Sequence, residues 1–264
     1  MNIVEILEKI KEQKPLIHHI TNWVTIYDCA NIVRAIGALP VMANAKEEVE
    51  QMTSIANALV LNIGTLTVDL IESMVLAGKK ANKKNIPVIL DSVGVGATDL
   101  RTNKAKEILE EVKVSILKGN SSEIGTLAGV ESETKGVEAM SVKGNLIEIA
   151  EKLANNRKLT VVITGEEDII SNGEDVYICK NGHWMMSKIV GTGCMATSVI
   201  GAFAAVERNY TLASSAALSC FGIAGELAAE KSKSIGTYKV NFFDEIFNLD
   251  KVSIEKMQKI EKIK

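Results

Sequence analysis

Short runs of aliphatic and β-branched residues recur along the chain at residues 58–61, 86–90, 114–117 and 160–163. Between them the apolar positions step at i, i+3, i+4 and i+7, as in Ala105, Ile108, Leu109 and Val112 or Leu146, Ile149, Ala150 and Leu153. That spacing gives a helix one buried face. The alternation predicts βαβ units and hence an α/β fold: a mainly parallel central sheet, with helices on both faces because the crossovers between parallel strands must cover it. Residues 168–184 break the rhythm. There Asn172-Gly173 and Asn181-Gly182 are two-residue turn signals flanking Val176, Tyr177, Ile178 and Cys179, which predicts antiparallel strands at one edge. Two long Ala-rich segments, 194–206 and 212–231, read as helices, with helical, charged sequence following to Lys264. At the other end, Ile3, Ile6, Leu7 and Ile10 among Glu5, Glu8, Lys9 and Lys11 predict a surface helix rather than a secretory leader. No linker rich in Pro, Gly or Ser divides the chain, so a single domain over residues 1–264 is expected.

Composition narrows the function classes. With 47% apolar residues in 264 the chain has enough to build a core, which excludes a disordered protein. A formal net charge of −3, no basic block and 4% aromatics argue against a nucleic-acid partner, which needs cationic grooves and stacking rings. The uncharged stretch 189–206 contains Gly191, Thr192, Gly193, Thr197, Ser198 and Gly201, too small and polar to face lipid, so no membrane partner is expected. Cys29, Cys179, Cys194 and Cys220 lack the spacing of a zinc site or disulfide scaffold and read as free thiols in a reducing cytoplasm. Three of them, Cys29, Cys179 and Cys220, are expected to be small buried hydrophobes.

Ligands of open α/β sheets lie beyond the carboxyl ends of the strands. Here Leu61 is followed by Asn62, Leu90 by Asp91, Leu117 by Lys118 with Gly119, Asn120 and Glu123 behind it, and Ile163 by Thr164 and Gly165. Water and helix caps account for single polar residues at such ends. Asp91, Lys118, Glu123 and Thr164 together suit a phosphate with Mg²⁺: carboxylates for the cation, an ammonium and a hydroxyl for the anion. Val190-Gly191-Thr192-Gly193-Cys194 is a glycine turn opening an Ala-rich helix, whose first N–H groups favour a phosphate or developing oxyanion. Tight packing of a helix on a sheet would also produce such a turn. No G-x-x-x-x-G-K-[ST] occurs, and the G-x-G lies too late for a dinucleotide fold. At the start of that helix the dipole is expected to lower the Cys194 thiol pKa. His18 and His19 lack a third partner of metal type, so no histidine metal site is expected. Thr21 or Asn22 can serve as a helix cap, and Met42 as core filler.

The ordered set His18-His19-Ile20-Thr21-Asn22, Pro40-Val41-Met42-Ala43-Asn44, Leu61-Asn62-Ile63-Gly64-Thr65, Asp91-Ser92-Val93-Gly94-Val95-Gly96-Ala97, Lys118-Gly119-Asn120-Ser121-Ser122-Glu123 and Gly191-Thr192-Gly193-Cys194 resembles the hydroxyethylthiazole kinases of the ribokinase-like superfamily. The likeness runs from about Lys14 to Gly225. It implies a ribokinase-like three-layer fold. It also implies transfer of the γ-phosphoryl of ATP to the primary hydroxyl of 4-methyl-5-(2-hydroxyethyl)thiazole in thiamine salvage. By that resemblance Met42, Gly191 and Asn22 contact the thiazole; Lys118, Asn120 and Thr164 contact ATP; Asp91 and Glu123 serve Mg²⁺; and Cys194 with the Gly193 backbone carries the catalytic step. Superfamily relatives usually carry Asp where this chain has Cys194. A homotrimer with sites at subunit boundaries is implied as well. Rival readings are a hydroxymethylpyrimidine kinase, an ADP-dependent dehydratase of hydrated nicotinamide cofactors, or a non-catalytic module that binds thiazole and nucleotide.

Overall fold

The computed structural model describes residues 2–135 and 138–264. Helix α1 (Ile3–Gln13) leads into β1 (Leu16–Ile20), α2 (Ile26–Ala35), β2 (Leu39–Met42), α3 (Val49–Ile55), β3 (Ala58–Asn62), α4 (Val68–Lys84), β4 (Val88–Asp91), α5 (Asp99–Glu111), β5 (Ile116–Asn120) and α6 (Ser121–Leu127). A small antiparallel pair, β6 (Ser132–Lys135) and β7 (Glu138–Val142), precedes α7 (Leu146–Arg157), β8 (Thr160–Thr164), β9 (Asp168–Ser171) and β10 (Val176–Cys179). A 3-10 turn at Trp184–Lys188 then opens onto α8 (Thr192–Val206), α9 (Tyr210–Lys231), α10 (Ile235–Asn248), α11 (Lys251–Met257) and β11 (Ile260–Lys262).

Among the described residues nine strands form one sheet in the order β11-β10-β9-β8-β5-β4-β3-β1-β2. Strands β2, β1, β3, β4, β5 and β8 run parallel, while β9, β10 and β11 pair antiparallel at one edge. The parallel strands read as unbroken apolar runs because both of their faces are buried. Ala58, Val60, Ile89, Ile116 and Val162 point into a core shared with α1, α2, α8, α9 and α10. Leu59, Leu61, Val88, Leu90, Leu117, Val161 and Ile163 point into the opposite core, under α4, α5 and α7. The mainly parallel α/β sheet with an antiparallel edge, expected from the sequence, is what the chain adopts.

Three local expectations need correction. Strand β1 is absent from the apolar runs that predict strands, because His18 and His19 interrupt it. Both are buried: His18 bonds Thr53 Oγ1 through Nδ1 (2.9 Å) and the Ala43 carbonyl through Nε2 (2.6 Å), while His19 Nδ1 bonds the Ile17 carbonyl. The C-terminal sequence is not helical throughout, since β11 closes the sheet against β10. Asn172-Gly173 does turn β9 into β10, but in a loop of residues 172–175, where Asn172 Oδ1 accepts the N–H groups of Glu174 and Asp175. Asn181-Gly182 makes no hairpin and instead leads into the 3-10 turn.

The uncharged stretch at 189–206 is largely α8, packed against the sheet. Helix α9 is, among the described residues, the one helix long and apolar enough to cross a membrane, and 78% of its apolar window is buried inside the protein. Its packing is close at Gly222, where an added Cβ would lie 2.5 Å from the Asn181 carbonyl carbon. Asn181 cannot retreat: its Oδ1 accepts from Ser219 Oγ and the Lys259 N–H, each at 2.8 Å, and its Nδ2 donates to the Met257 carbonyl. Gly222→Ala is therefore expected to cost about 1–3 kcal/mol of stability by overpacking, read as a lower urea midpoint at unchanged slope.

Candidate active site

Register places the chemistry before any side-chain contact is considered. Asn62 sits opposite Asp91, and Asp91 opposite Lys118, across the β3-β4-β5 ladders; Asn120 sits opposite Thr164 across β5-β8. Residues paired in this way lie on the same sheet face, and Asn62, Asp91, Lys118 and Thr164 each follow by two positions a residue that points toward α8, namely Val60, Ile89, Ile116 and Val162. The polar residues at the ends of β3, β4 and β5 are thus delivered beneath the first turn of α8.

Three of them, Asn62, Asp91 and Lys118, belong to one hydrogen-bonded chain. Lys118 Nζ lies 3.2 Å from Asp91 Oδ1. Asp91 Oδ2 accepts from Asn62 Nδ2 and from Thr197 Oγ1, both at 2.8 Å. Asn62 Oδ1 accepts from Asn22 Nδ2 at 2.8 Å, and the same Asn22 amide approaches Cys194 Sγ at 3.5 Å. Asn22 Oδ1 in turn receives the Thr25 N–H and hydroxyl just ahead of α2, whose N-cap is Thr25 and not the expected Thr21 or Asn22. Asp91 and Cys194 are joined through two carboxamides.

The first turn of α8 closes over this chain. Gly191 has φ +91°, a conformation open to glycine, and a Cβ there would collide with the Thr25 side chain. At Gly193 a Cβ would lie 3.0 Å from Lys118 Nζ, which places the ammonium directly against the amide end of the helix. Thr192 Oγ1 ties the turn down by bonding the Met186 and Ile189 carbonyls. On the β5 side, Glu123 Oε2 accepts the Asn120 N–H and Oε1 the Gly94 N–H, each at 2.7 Å, while Asn120 Oδ1 caps α6 by accepting the Glu123 N–H. Thr164 Oγ1 lies 3.4 Å from the Gly119 carbonyl. Met42 ends β2 opposite His19, partly buried against the α8-side core. A groove of about 440 Å³ opens between Trp23, Asn44, Lys46, Asp69 and Leu70, and none of the residues of the hydrogen-bonded chain lines it.

Burial sets the electrostatics. It raises the Asp91 pKa against the pull of Lys118, Thr197 and Asn62, and it lifts Glu123 to about 7, with Asp91 adding to the effect. Burial also opposes the Lys118 charge, but Asp91 and Glu123 outweigh it and hold its pKa above the ordinary value. Cys194 corrects an expectation. Its thiol pKa is raised, first by burial and then by Asp91, and neither Lys118 nor the hydrogen bonds from Thr25 and Asn62 bring it back. The helix dipole does not produce a resting thiolate here, because the sulfur lies inside the protein beside a carboxylate. Cys29 and Cys179, both buried and free, are pushed up to about 12, and Cys220 higher still.

The hydroxyethylthiazole kinase family model matches residues 7–252. The chain belongs to this family. It is 56% identical over 257 residues to a hydroxyethylthiazole kinase of Methanosarcina mazei, covering 97% of this chain and 98% of the relative. It is 54% identical over 259 residues to one of Thermoanaerobacter pseudethanolicus, with 97% and 98% covered. The solved hydroxyethylthiazole kinase of Pyrococcus horikoshii OT3 superposes with a TM-score of 0.91 at 38% identity over 99% of each chain. A ribokinase-like superfamily protein of Enterococcus faecalis V583 superposes with a TM-score of 0.67 at 11% identity, over 96% of this chain and 94% of that one, which extends the likeness of fold beyond the family.

The six segments that carry the resemblance, scattered along the sequence, lie toward the carboxyl ends of the parallel strands and the start of α8. Residues that sequence reasoning left without a role are Asn62 and Thr197. Asn62 had a signal, being the polar residue at a strand end exactly as Asp91 is; Thr197 had a weaker one, lying one helical turn beyond Gly193.

Proposed function

We propose that this chain transfers the γ-phosphoryl group of ATP to the primary hydroxyl of 4-methyl-5-(2-hydroxyethyl)thiazole, as a phosphotransferase of thiamine salvage in the cytoplasm. The observation that carries this reading is the hydrogen-bonded chain Lys118-Asp91-Asn62-Asn22-Cys194 beneath the amide end of α8, in a protein more than half identical to hydroxyethylthiazole kinases. Family membership and Cys at position 194 disfavour the pyrimidine kinase and dehydratase readings.

Phosphoryl transfer needs positioning and charge neutralisation more than covalent help. Lys118, with Asn120 and Thr164 beside it, is assigned to the triphosphate. The N–H groups of the Gly191–Cys194 turn are assigned to the group in flight, where the helix end favours negative charge. Asn22, Met42 and Gly191 are assigned to the thiazole. The donor set also suits Mg²⁺ by its chemistry, because carboxylate oxygens are the ligands this ion takes and Asp91 and Glu123 both lie close enough to act electrostatically on Lys118. Asp91 and Glu123 would hold the ion, which when bound would offset charge on the phosphate oxygens. Trp23, Val24 and Tyr27, exposed by 60%, 63% and 77% next to Asn22 in the chain, suit a subunit contact, which the family resemblance assigns to a homotrimer.

Cys194 is assigned as the late acceptor of the hydroxyl proton. Its raised pKa has a consequence with a definite sign: the thiolate fraction, and with it turnover, grows as pH rises toward and beyond the ordinary thiol value. Cys194→Ala is expected to lower kcat about 10²-fold, to leave measurable activity, and to flatten the alkaline rise. Steady-state kinetics against pH check this, and an unchanged profile in the variant removes Cys194 as acceptor. The reading as a whole is tested by coupled ADP release with hydroxyethylthiazole, with hydroxymethylpyrimidine and without acceptor. ADP formed only with the thiazole supports it, and ADP formed with none of them indicates a binding module.

A further inference from the structure

Arg101 reaches from α5 to the two loops that follow β3 and β4. Its Nη1 donates to the Ile63 carbonyl (3.0 Å) and the Val93 carbonyl (2.9 Å), and its Nη2 to the Gly64 carbonyl (2.6 Å). Among the described residues no carboxylate pairs with it, so the guanidinium is committed to backbone. Each loop carries part of the constellation. Gly64 packs on the carboxamide pair, since a Cβ there would lie 2.9 Å from Asn22 Nδ2 and 3.0 Å from Asn62 Oδ1. Val93 precedes Gly94, whose N–H donates to Glu123 and whose backbone, at φ +77°, lies against the Arg101 side chain, where a Cβ would meet Cδ and Nη1 at 3.0 Å.

We propose that Arg101 is a positioning residue for phosphoryl transfer: its guanidinium locks the β3 and β4 loops to each other and so fixes the separation between the Asn22/Asn62 amides at Cys194 and the Gly94/Glu123 bond at Asp91. This rests on the functional reading above. The physical case is one of shape. A guanidinium is a rigid planar fork of five donors and can hold three carbonyls of two segments at once, whereas an ammonium is a point donor on a flexible stem. Without the fork the three carbonyls lose their shared partner, the loops part, and misplacement on the order of 1 Å costs about 10²-fold in rate.

The test compares wild type with R101M, R101A and R101K by steady-state kinetics, thermal unfolding, and amide hydrogen exchange of the substrate-free protein. R101M is expected to lose about 10² in kcat, with KM for ATP and for the thiazole within about threefold of wild type, because the interactions lost serve geometry rather than binding. Exchange should quicken at residues 63–65 and 93–97 in all three variants. Added methylguanidinium should raise kcat of R101A at least about fivefold without affecting wild type, and R101K should remain at least about tenfold slow, since it keeps the charge but lacks the fork. R101K also carries the test if the other two do not fold. The proposal is overturned by a variant with wild-type kcat per folded molecule, by unchanged exchange in both loops, or by failure of methylguanidinium to rescue. Exchange needs no substrate, so a wild-type protein that phosphorylates no thiazole alcohol would sink the functional reading while the role of Arg101 in joining the loops is still decided.

Discussion

Asp91→Asn is expected to lower kcat about 10³-fold while the protein still folds. Asp91 is fully buried, and its two oxygens are divided among Lys118, Asn62 and Thr197. An amide of the same shape can still accept one of these bonds, but it cannot balance Lys118, which is left in the protein interior with Glu123 as its nearest remaining carboxylate. Removing one member of a buried pair costs about 3–5 kcal/mol, and an isosteric replacement belongs at the lower end of that range. The loss of rate follows because the ammonium and the Asn62 amide are both aimed by this carboxylate, and losing a preorganised charged contact costs about 10²–10³ in kcat. Urea denaturation and the coupled assay measure the two effects separately. Wild-type kcat in this variant would remove Asp91 from the mechanism.

Lys118→Met has the other large effect, with a different kinetic signature. It strips the cation that most opposes the upward push of burial on the Asp91 pKa, and leaves that carboxyl in the interior without its charged partner. A fall of about 10³ in kcat/KM for ATP is expected, shared between KM and kcat, because this ammonium is assigned to the nucleotide phosphates as well as to the transferring group. Stability should fall by about 3 kcal/mol. The double variant D91N/K118M decides whether the two residues act as a pair. Its loss of stability should be smaller than the sum of the two single losses by about 2 kcal/mol, since no uncompensated charge remains, while its activity stays at the level of the worse single variant. Additive stability losses would show that the two residues do not interact as the 3.2 Å separation requires.

What the chain disclosed in advance depended on whether the deciding interaction is local. The strands at 58–61 and 160–163 were legible because burial on both faces demands unbroken aliphatic runs, and α8 and α9 because small residues let them lie close to the sheet. Strand β1 was hidden because the bonds that make His18 tolerable in the interior come from Thr53 and Ala43, distant in sequence. The edge strand β11 was hidden for the opposite reason: Glu261 and Lys262 are exposed and carry no apolar signal. At the site, the strand-end rule pointed to Asp91, Lys118 and Thr164, and the order of motifs carried the family. The thiol of Cys194 was misjudged because position on a helix is written in the sequence, whereas burial beside Asp91 is a property of the assembled sheet. Arg101 gave no signal, since a side chain that bonds only backbone carbonyls leaves no partner residue to be noticed.

The most direct test of the central claim is the fate of the γ-phosphoryl group itself. Purified protein is incubated with γ-labelled ATP, Mg²⁺ and either 4-methyl-5-(2-hydroxyethyl)thiazole or hydroxymethylpyrimidine, and the products are separated. The account predicts label in a phosphate monoester at the hydroxyethyl oxygen of the thiazole, formed in step with ADP and nearly abolished in D91N. Label released as free phosphate at the same rate with or without the thiazole, or label carried by the pyrimidine instead, would contradict it.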